Sequence, residues 1–284
     1  MSDDNDSTSR PFIGIIGFGA FGRLMAQHLR PHFRLCAHDP AFPPGPAAGM
    51  DDVMLTSLAA TAHCPVVVLA TPVSRLAETV RAISPHLRAG TLVLDVGSVK
   101  AIPAEIMRCG LPDQVEIVAT HPLFGPQSAR DGIAGLKIAV CPIRGRRGRR
   151  VAAFLRKVLR LDVIVTTPEA HDREAATVQG LTHLIAKVLV QMEPLPTRMT
   201  TRSFDLLMQA VNMVRHDAPE VFQAIERSNP YTGEVRRRFF DLASALDAAL
   251  SDTSSGSGRP RLADRPMRSG PGRAGSPAGH GLAR

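Results

Sequence analysis

Apolar and polar residues follow two alternating patterns along the chain up to about Leu159. Short apolar runs alternate with helix-length amphipathic stretches, which is typical of a parallel sheet covered by helices. The predicted strands are Phe12–Ile16, Arg34–His38, Val66–Ala70, Thr91–Asp95, Glu116–Thr120 and Lys137–Val140. The predicted helices lie near Phe21–Arg30, Ser74–Ser84 and Lys100–Cys109, and loops rich in Pro and Gly are predicted at Pro40–Gly49 and Pro122–Gly135.

The pattern changes after Leu159. Residues 161–165 predict a last edge strand, and Thr167-Pro168-Glu169 then begins a helix with an N-cap hydroxyl, a proline in the first turn and an acid at the positive end of the dipole. The periodicity stays helical to about Leu250, with one interruption at residues 193–196. The predicted segments are a disordered start at 1–10, an α/β domain at 11–165, an all-helical domain at 166–250 and a disordered Arg/Gly/Pro/Ser tail at 251–284.

The positive charge of the chain is concentrated in two places. The formal net charge is +8, but residues 144–150 hold five Arg without an acid and residues 251–284 hold six Arg against two Asp. The remaining chain is therefore close to neutral. With no Trp and one Tyr, it also lacks aromatic residues between the charges on which bases could stack, so we expect no nucleic-acid partner.

Composition also bears on the compartment. No apolar run is long enough to cross a membrane, and the acidic start of the sequence does not resemble a secretory signal, so we expect a cytoplasmic protein without a membrane partner. The four cysteines are scattered without the spacing of a zinc site or a disulfide scaffold. We interpret them as small, reduced core residues: Cys36, Cys64, Cys109 and Cys141.

A glycine-rich turn follows the first predicted strand. In Gly17-Phe18-Gly19-Ala20-Phe21-Gly22, the first glycine permits a tight turn, the second lets the backbone approach a pyrophosphate, and the third lets the helix pack closely on the strand. The exposed amides at the helix start can hold the anion. The sequence therefore predicts a Rossmann-type dinucleotide-binding domain over residues 11–165.

The acid that ends the second strand bears on the choice of cofactor. Asp39 can accept hydrogen bonds from the adenosine ribose and would repel a ribose phosphate, which favours NAD over NADP. NADP stays an alternative because the neighbouring His38 could help to hold a phosphate. Thr71 and Pro72 follow the third large strand and are predicted to face the same crevice.

Two later strand ends carry groups suited to proton transfer. His121 follows a buried strand, and imidazole has a pKa suited to accepting a hydroxyl proton near neutral pH. We therefore predict that His121 is the proton acceptor of a dehydrogenase; the alternative is a buried His bonded to the backbone. Ser98 could bond to a substrate hydroxyl or cap the next helix, and Lys100 could be a solvated first-turn residue.

Every fourth position on the long helix that begins at Pro168 carries, in turn, His171, Ala175, Gln179 and His183. His171, Gln179 and His183 lie among small residues, which favours a wall of a substrate cleft. A metal site is the weaker alternative because no carboxylate or Cys completes a ligand set there, so we expect no metal.

Together these motifs resemble the prephenate and arogenate dehydrogenase family of tyrosine biosynthesis over roughly residues 12–250. The residues that carry the resemblance are the glycine-rich turn, Ala70-Thr71-Pro72, Asp95-Val96-Gly97-Ser98-Val99-Lys100, His121-Pro122-Leu123-Phe124-Gly125-Pro126, His171-Asp172 and Gln179-Gly180-Leu181-Thr182-His183. The glycine turn is common to many dehydrogenases. The Gly-Ser-Val-Lys and His-Pro-Leu-Phe-Gly-Pro motifs in this order are much more specific.

The resemblance implies a reaction and a set of roles. It implies NAD(P)-dependent oxidative decarboxylation of prephenate to 4-hydroxyphenylpyruvate, or of arogenate to tyrosine. It casts His121 and Ser98 as catalytic, with Ser98 orienting the substrate hydroxyl and also contacting the cofactor. It places His171, Gln179 and His183 on the substrate side, and it implies a homodimer formed through the helical domain.

Two features depart from the family. Many prephenate-using relatives clamp the substrate side chain with an Arg, but the matching position here is Asn212 or Met213, and Arg215 or Arg202 would have to replace it. The polar tail after Leu250 does not resemble the regulatory module of some relatives. The alternatives are another two-domain dehydrogenase of a small hydroxy or imino acid, and a non-catalytic dinucleotide-sensing module.

Overall fold

A computed structural model of the protein describes residues 10–252. The ends predicted to be disordered, 1–10 and 251–284, therefore lie outside the described residues except for Arg10, Ser251 and Asp252. None of the helices within this range is long and apolar enough to cross a membrane. Two compact units divide the chain after Asp241, and the site described below lies in the first of them.

Within residues 10–252, nine strands form a single sheet. They are β1 Phe12–Ile16, β2 Arg34–His38, β3 Gly45–Ala47, β4 Met50–Leu55, β5 Val66–Leu69, β6 Leu92–Asp95, β7 Glu116–Pro122, β8 Lys137–Arg144 and β9 Asp162–Val165. The helices are α1 Ala20–Leu29, α2 Leu58–Ala62, α3 Leu76–Ile83, α4 Ala101–Gly110, α5 Gly148–Lys157, α6 Pro168–Gln191, α7 Arg202–Val214, α8 Pro219–Gln223 and α9 Thr232–Ser251. A π-helical turn at Ala224–Ser228 follows α8.

The sheet has the order β3-β4-β2-β1-β5-β6-β7-β8-β9. The chain runs outward from β1 to β2 on one side and from β5 to β7 on the other, so the strand order reverses beside β1 and opens a crevice at the carboxyl ends of the strands. The predicted α/β fold of Rossmann type followed by a helical region is confirmed.

The sheet is mixed, whereas the sequence predicts a parallel one. β3 pairs antiparallel with β4, and β7 pairs antiparallel with β8. The segment between β7 and β8 contains no crossover helix, so the chain must return beside the strand that it has just left. This return extends β7 to Pro122 and places His121 within the strand, opposite Ala139, rather than after it.

One predicted loop and the arginine-rich segment contain regular structure. The segment Pro40–Gly49 includes β3 and turns into β4 at Gly49, whose φ of 77° suits glycine. The basic turn at residues 144–150 includes the start of α5 at Gly148, where dense arginines obscure the helical spacing of Val151, Phe154 and Leu155. Those three side chains pack with the apolar clusters of the sheet.

The long helix α6 begins as predicted. The Thr167 hydroxyl accepts a hydrogen bond from the Ala170 amide at 3.2 Å, and Pro168 occupies the first turn. The helix ends at Gln191, just before the predicted interruption. β9 ends at Val165, but the residues up to Asp241 form one compact unit, so the division into two domains stays a prediction.

Candidate active site

The glycine loop, residues 17–22, joins β1 to α1 in a space too small for added side chains. Gly17 has a φ of 95°, and a Cβ there would lie 2.6 Å from the Ala70 carbonyl oxygen. A Cβ on Gly22 would lie 2.2 Å from the Gly17 carbonyl oxygen. Contacts this short show that these two positions require glycine, and they bring the loop against Ala70 and Thr71 at the end of β5.

Open space lies above the middle of the same loop. A Cβ on Gly19 would have no neighbour within 4 Å in the described residues. Gly19 is the N-cap of α1, which has no side-chain cap and no acid in its first turn, formed by Ala20, Phe21 and Gly22. The first amides of α1 can therefore bind an anion, and the open space allows a pyrophosphate to approach the backbone closely.

Phe18 and Asp39 connect the glycine loop to the end of β2. The Phe18 ring is fully buried, while its amide donates a hydrogen bond of 2.7 Å to Asp39 Oδ2. Asp39 Oδ1 accepts another from the Ala41 amide at 2.9 Å. Each oxygen keeps a second lone pair, so Asp39 can still accept from a ribose hydroxyl. Phe18 thus contributes its backbone, rather than its ring, to the crevice.

A buried ion pair connects the ends of β6 and β7. The Lys100 ammonium binds Asp95 Oδ2 and donates to the Thr120 carbonyl oxygen at 2.6 Å. Burial raises the pKa of Asp95, and the Lys100 charge opposes that rise. The solvated position considered for Lys100 is wrong, because its side chain is inaccessible to solvent and anchors the residue just before His121.

His121 is buried at the carboxyl end of β7. Its Nδ1 lies 2.8 Å from His171 Nε2, and its Nε2 lies 3.4 Å from the Gln179 amide nitrogen. Burial holds the pKa of His121 well below its ordinary value of 6.5, and electrostatic interactions with the neighbouring His171, Lys100 and His183 lower it further. The ring is therefore neutral at pH 7 and can accept a proton. The backbone-bonded alternative for His121 does not match these ring contacts.

Asp172 connects α6 with the start of α4. Its two oxygens accept hydrogen bonds of 2.8 Å from the amides of Lys100 and Ala101. Asp172 Oδ1 also accepts from His171 Nδ1 at 2.8 Å. The N-cap residue of α4 is Lys100, so the capping role considered for Ser98 is wrong; the cap oxygens come from Asp172, far along the chain.

Both ring nitrogens of His171 are engaged, one with His121 and one with Asp172. His171 thus offers no free ring nitrogen to a substrate. Ser98 is half-buried after β6, and within residues 10–252 its hydroxyl has no hydrogen-bond partner, so it is free to bind a ligand but forms no hydrogen bond with His121. Thr71 and Pro72 lie at the end of β5, and Thr79 donates weakly to the Thr71 hydroxyl at 3.5 Å.

His183 extends the polar site toward the helical region. Its Nδ1 donates to the Gln179 carbonyl oxygen at 3.0 Å, and its Nε2 lies 3.2 Å from Asp217 Oδ2. Both ring nitrogens thus face oxygen acceptors. A Cβ on Gly125 would lie 3.8 Å from Asp217 Oδ1, so Asp217 borders the loop that follows His121. We call His121, His171, Asp172, Gln179 and His183 the histidine cluster.

The arginines considered as replacements for the family's clamp do not join this cluster. Arg215 donates to Glu193 at 3.0 Å and to Asn212 at 3.2 Å. Arg202 is exposed in the first turn of α7. The charged residue in contact with the cluster is instead Asp217, which sequence reasoning missed because nothing in the short connection between α7 and α8 marks it. Asp172 appears in the sequence only as part of a family motif.

The glycine loop and the histidine cluster approach each other through two aromatic rings. The centroids of Phe21, in the glycine loop, and Phe124, in the loop after His121, lie 6.5 Å apart. Within residues 10–252, no group of three or more His, Cys, Asp or Glu side chains is arranged to hold a metal ion. The arrangement is therefore an anion-binding loop and a neutral imidazole base at the carboxyl ends of strands of the same sheet, which suits proton removal beside a bound dinucleotide.

Comparisons with known proteins agree with this arrangement. The family described as "Prephenate dehydrogenase, nucleotide-binding domain" matches residues 44–153, a segment that begins after the glycine loop. Arogenate dehydrogenase 1 of Arabidopsis thaliana is 27% identical over 260 residues, which cover 88% of this chain and 41% of that protein. A probable arogenate/prephenate dehydrogenase of Methanocaldococcus jannaschii is 26% identical over 188 residues, covering 62% of this chain and 41% of that protein. The chain thus spans about two fifths of the length of these curated relatives.

Solved structures show the same fold. Prephenate dehydrogenase of Aquifex aeolicus, in complex with hydroxyphenyl propionate and NAD+, has a TM-score of 0.65 at 20% identity and covers 86% of this chain and 91% of that one. Synechocystis arogenate dehydrogenase has a TM-score of 0.58 at 18% identity, covering 84% of this chain and 93% of that one.

Proposed function

We propose that this chain, which belongs to the prephenate/arogenate dehydrogenase family, catalyses the NAD-dependent oxidative decarboxylation of a cyclohexadienol, with His121 as proton acceptor. The observation that carries the proposal is the buried, neutral His121 ring, which His171 holds through Nδ1. Among the described residues, the one hydrogen-bond partner of its Nε2 is the Gln179 amide nitrogen. This base lies in the strand end that adjoins the glycine loop through Phe21 and Phe124.

The residues of this chain would hold the cofactor and move one proton. The first amides of α1 would bind the pyrophosphate, and Asp39 would accept from the adenosine ribose. Bound NAD supplies the acceptor for the hydride of the ring carbinol. As the carbinol gains carbonyl character, His121 Nε2 takes the hydroxyl proton, and Ser98 orients that hydroxyl. Carbon dioxide then leaves, its bonding electrons make the ring aromatic, and the proton returns to the phenol oxygen.

Two contacts favour NAD over NADP. The Asp39 carboxylate would repel a phosphate on the ribose. His38 donates through Nδ1 to the Thr56 carbonyl oxygen at 3.0 Å, so this ring is held beside β4 and does not complete a phosphate site with Asp39. Among the residues that the structure describes, no arginine bonds to Asp39 or His38 to compensate for the acid.

The pairing of His183 with Asp217 favours arogenate over prephenate. The arogenate side chain carries an ammonium and a carboxylate, which match the Asp217 carboxylate and the His183 imidazole lying 3.2 Å apart. The prephenate side chain carries a carboxylate without an ammonium, so Asp217 would repel it. Two curated relatives from Arabidopsis thaliana, at 27% and 28% identity, are named arogenate dehydrogenases.

Assaying the full chain with both substrates and both cofactors tests these proposals. We expect reduced nicotinamide to form fastest with arogenate and NAD, with kcat/KM for arogenate about tenfold or more above that for prephenate, as one added charge pair would give. Asp217→Asn should remove most of this preference by raising the prephenate rate and lowering the arogenate rate. Asp113→Asn is the matched control, because that carboxylate is exposed and pairs only with Arg144 among the described residues.

The assay separates the two levels of the proposal. If no combination reduced the nicotinamide, the dehydrogenase function would be wrong. If the wild type turned over both substrates equally, or if Asp217→Asn changed nothing, only the role of Asp217 would be wrong.

The assembly and the compartment complete the proposal. We expect a homodimer formed through the helical region, because α6 and α7 carry large apolar side chains that the chain leaves exposed: Val178, Val188, Leu206, Leu207 and Met213. Light scattering should give twice the mass of one chain.

The buried thiols of Cys36 and Cys64 lie 3.3 Å apart without a disulfide, which suits a reducing compartment such as the cytoplasm. Cys109, by contrast, is exposed rather than in the core.

A further inference from the structure

A continuous hydrogen-bond chain runs from the start of α4 to the ring of His121. The Lys100 and Ala101 amides donate to Asp172, His171 Nδ1 lies 2.8 Å from Asp172 Oδ1, and His171 Nε2 lies 2.8 Å from His121 Nδ1. The two histidines and the aspartate are all buried. In a buried chain each short contact needs one donor and one acceptor, so the proton on every nitrogen can be assigned in turn.

The charge of Asp172 determines where the first proton of this hydrogen-bond chain lies. Its carboxylate receives the two amides from the positive end of α4, so it is stabilised as the anion and acts only as an acceptor. The short contact with His171 Nδ1 therefore requires a proton on that nitrogen. His121 Nε2 faces the Gln179 amide nitrogen, which is a donor, so the His121 proton lies on Nδ1 and is donated to the lone pair of His171 Nε2.

We infer that His171 and Asp172 are a positioning pair that holds His121 in the tautomer protonated at Nδ1, which leaves Nε2 as the proton-accepting atom. The inference rests on the proposed function for the meaning of that atom, while the tautomer itself is a property of the free protein. The Gln179 amide nitrogen, 3.4 Å from His121 Nε2, is a donor and matches a lone pair at that position.

An isolated imidazole favours the tautomer opposite to the one that His171 and Asp172 select. In water the neutral ring prefers its proton on Nε2, and in that form His121 would present a donor, instead of an acceptor, to the substrate hydroxyl. Carboxylates select the histidine tautomer in the same way in hydrolase triads, where the loss of the carboxylate oxygen costs about 10⁴-fold in kcat. Here a second imidazole lies between the carboxylate and the base.

The same carboxylate also fixes the segment that carries Ser98. The amides bound by Asp172 belong to Lys100 and Ala101, which follow Ser98 by two and three residues. Asp172 therefore sets the position of the hydroxyl-bearing segment and, through His171, the ring of His121. One anchor on α6 aligns both groups that are proposed to contact the substrate hydroxyl.

Nitrogen NMR of the histidine-labelled wild-type chain, without cofactor or substrate, tests the tautomer directly. We expect the His121 signals to show a protonated Nδ1 and an unprotonated Nε2 near neutral pH, with the His121→Asn spectrum providing the assignment. A proton found on Nε2 of His121 would overturn the inference. This result does not depend on any activity, so it stands apart from success or failure of the proposed function.

Two substitutions at His171 then test the consequence for turnover. His171→Leu removes the acceptor, and we expect kcat to fall by roughly a hundredfold or more while KM stays within about threefold. In His171→Gln the amide oxygen can accept from His121 Nδ1, so most of the lost rate should return and the Nδ1-protonated tautomer should persist. Glu174→Gln, an exposed change on the same helix, is the control.

The pattern across the variants decides the inference. Equal losses in the Leu and Gln variants, or a Leu variant with wild-type kcat, would contradict the positioning role. If the Leu variant does not fold, the wild-type spectrum and the Gln variant still decide it.

Discussion

The glycine loop and the histidine cluster contribute to one site by opposite physical means. The glycine loop depends on the absence of side-chain atoms: its geometry is possible because Gly17 and Gly22 carry no Cβ. The histidine cluster depends on side-chain hydrogen bonds, in which each ring nitrogen is either a donor or an acceptor. The loop is local in sequence, whereas His121 bonds to a residue 50 positions away and His183 to one 34 positions away. Steric changes should therefore break the first region, and changes of nearly equal size but different hydrogen bonding should break the second.

The largest expected effect comes from adding one methyl group to the loop. Gly22→Ala would place a Cβ 2.2 Å from a backbone oxygen that cannot move without distorting the turn. We expect it to lower the free energy of unfolding by about 3 kcal/mol and to abolish NAD binding. Thermal denaturation and titration calorimetry measure the two effects.

Gly19→Ala is the matched control for this change. A Cβ at this position would meet nothing within 4 Å in the described residues, and the φ of −70° suits alanine, so the stability should stay close to that of the wild type. The methyl group would nevertheless occupy the space through which the pyrophosphate approaches, and NAD affinity should fall by roughly tenfold or more. Unchanged affinity in Gly19→Ala would show that the dinucleotide binds elsewhere.

A smaller effect is the pH dependence of stability, which we expect from the histidine cluster and not from the glycine loop. The pKa of His121 in the folded protein lies below its ordinary value of 6.5, because of burial first and then electrostatic interactions with the neighbouring His171, Lys100 and His183. Below about pH 6.5 the His121 imidazole therefore binds a proton in the unfolded chain that it does not bind in the folded chain. Stability is thus highest above that pH and falls as the pH decreases, by up to about 1.4 kcal/mol per pH unit for this one group.

Urea unfolding of the wild type and of His121→Asn between about pH 7.5 and pH 5 measures this contribution. The variant should show the shallower decline because it has no imidazole to protonate at this position. Parallel curves for the two proteins would mean that His121 titrates alike in the folded and unfolded states.

The sequence predicted the local parts of the site better than the distant ones. β1, the glycine loop and α1 are contiguous, and their pattern depends on backbone sterics that Gly17 and Gly22 reveal directly. His121 was predicted at the correct sheet edge, although β7 continues past it because β8 returns antiparallel. The sequence predicted a loop without a helix at Pro122–Gly135, but the antiparallel return of β8 that such a loop requires was not predicted from it.

Asp172 and Asp217 show why the remaining contacts could not be predicted. Each bonds to a group that the chain reaches only after folding, and no periodicity links Asp172 to the amides of α4 or Asp217 to His183. Lys100 was similarly ambiguous, because a first-turn lysine is usually solvated and only the burial of Asp95 beside it reverses that expectation. Hydrogen-bond partners on different elements are determined by how those elements pack together, and local sequence patterns do not predict that packing.

The most direct test of the central claim is to measure turnover and NAD binding together in His121→Asn. The claim predicts that kcat for arogenate falls by roughly 10²–10⁴-fold, while the dissociation constant for NAD stays within about threefold of the wild type. His86→Asn, a change outside the cluster, should match the wild type in both measurements. A His121→Asn protein that reduced NAD at the wild-type rate would contradict the account.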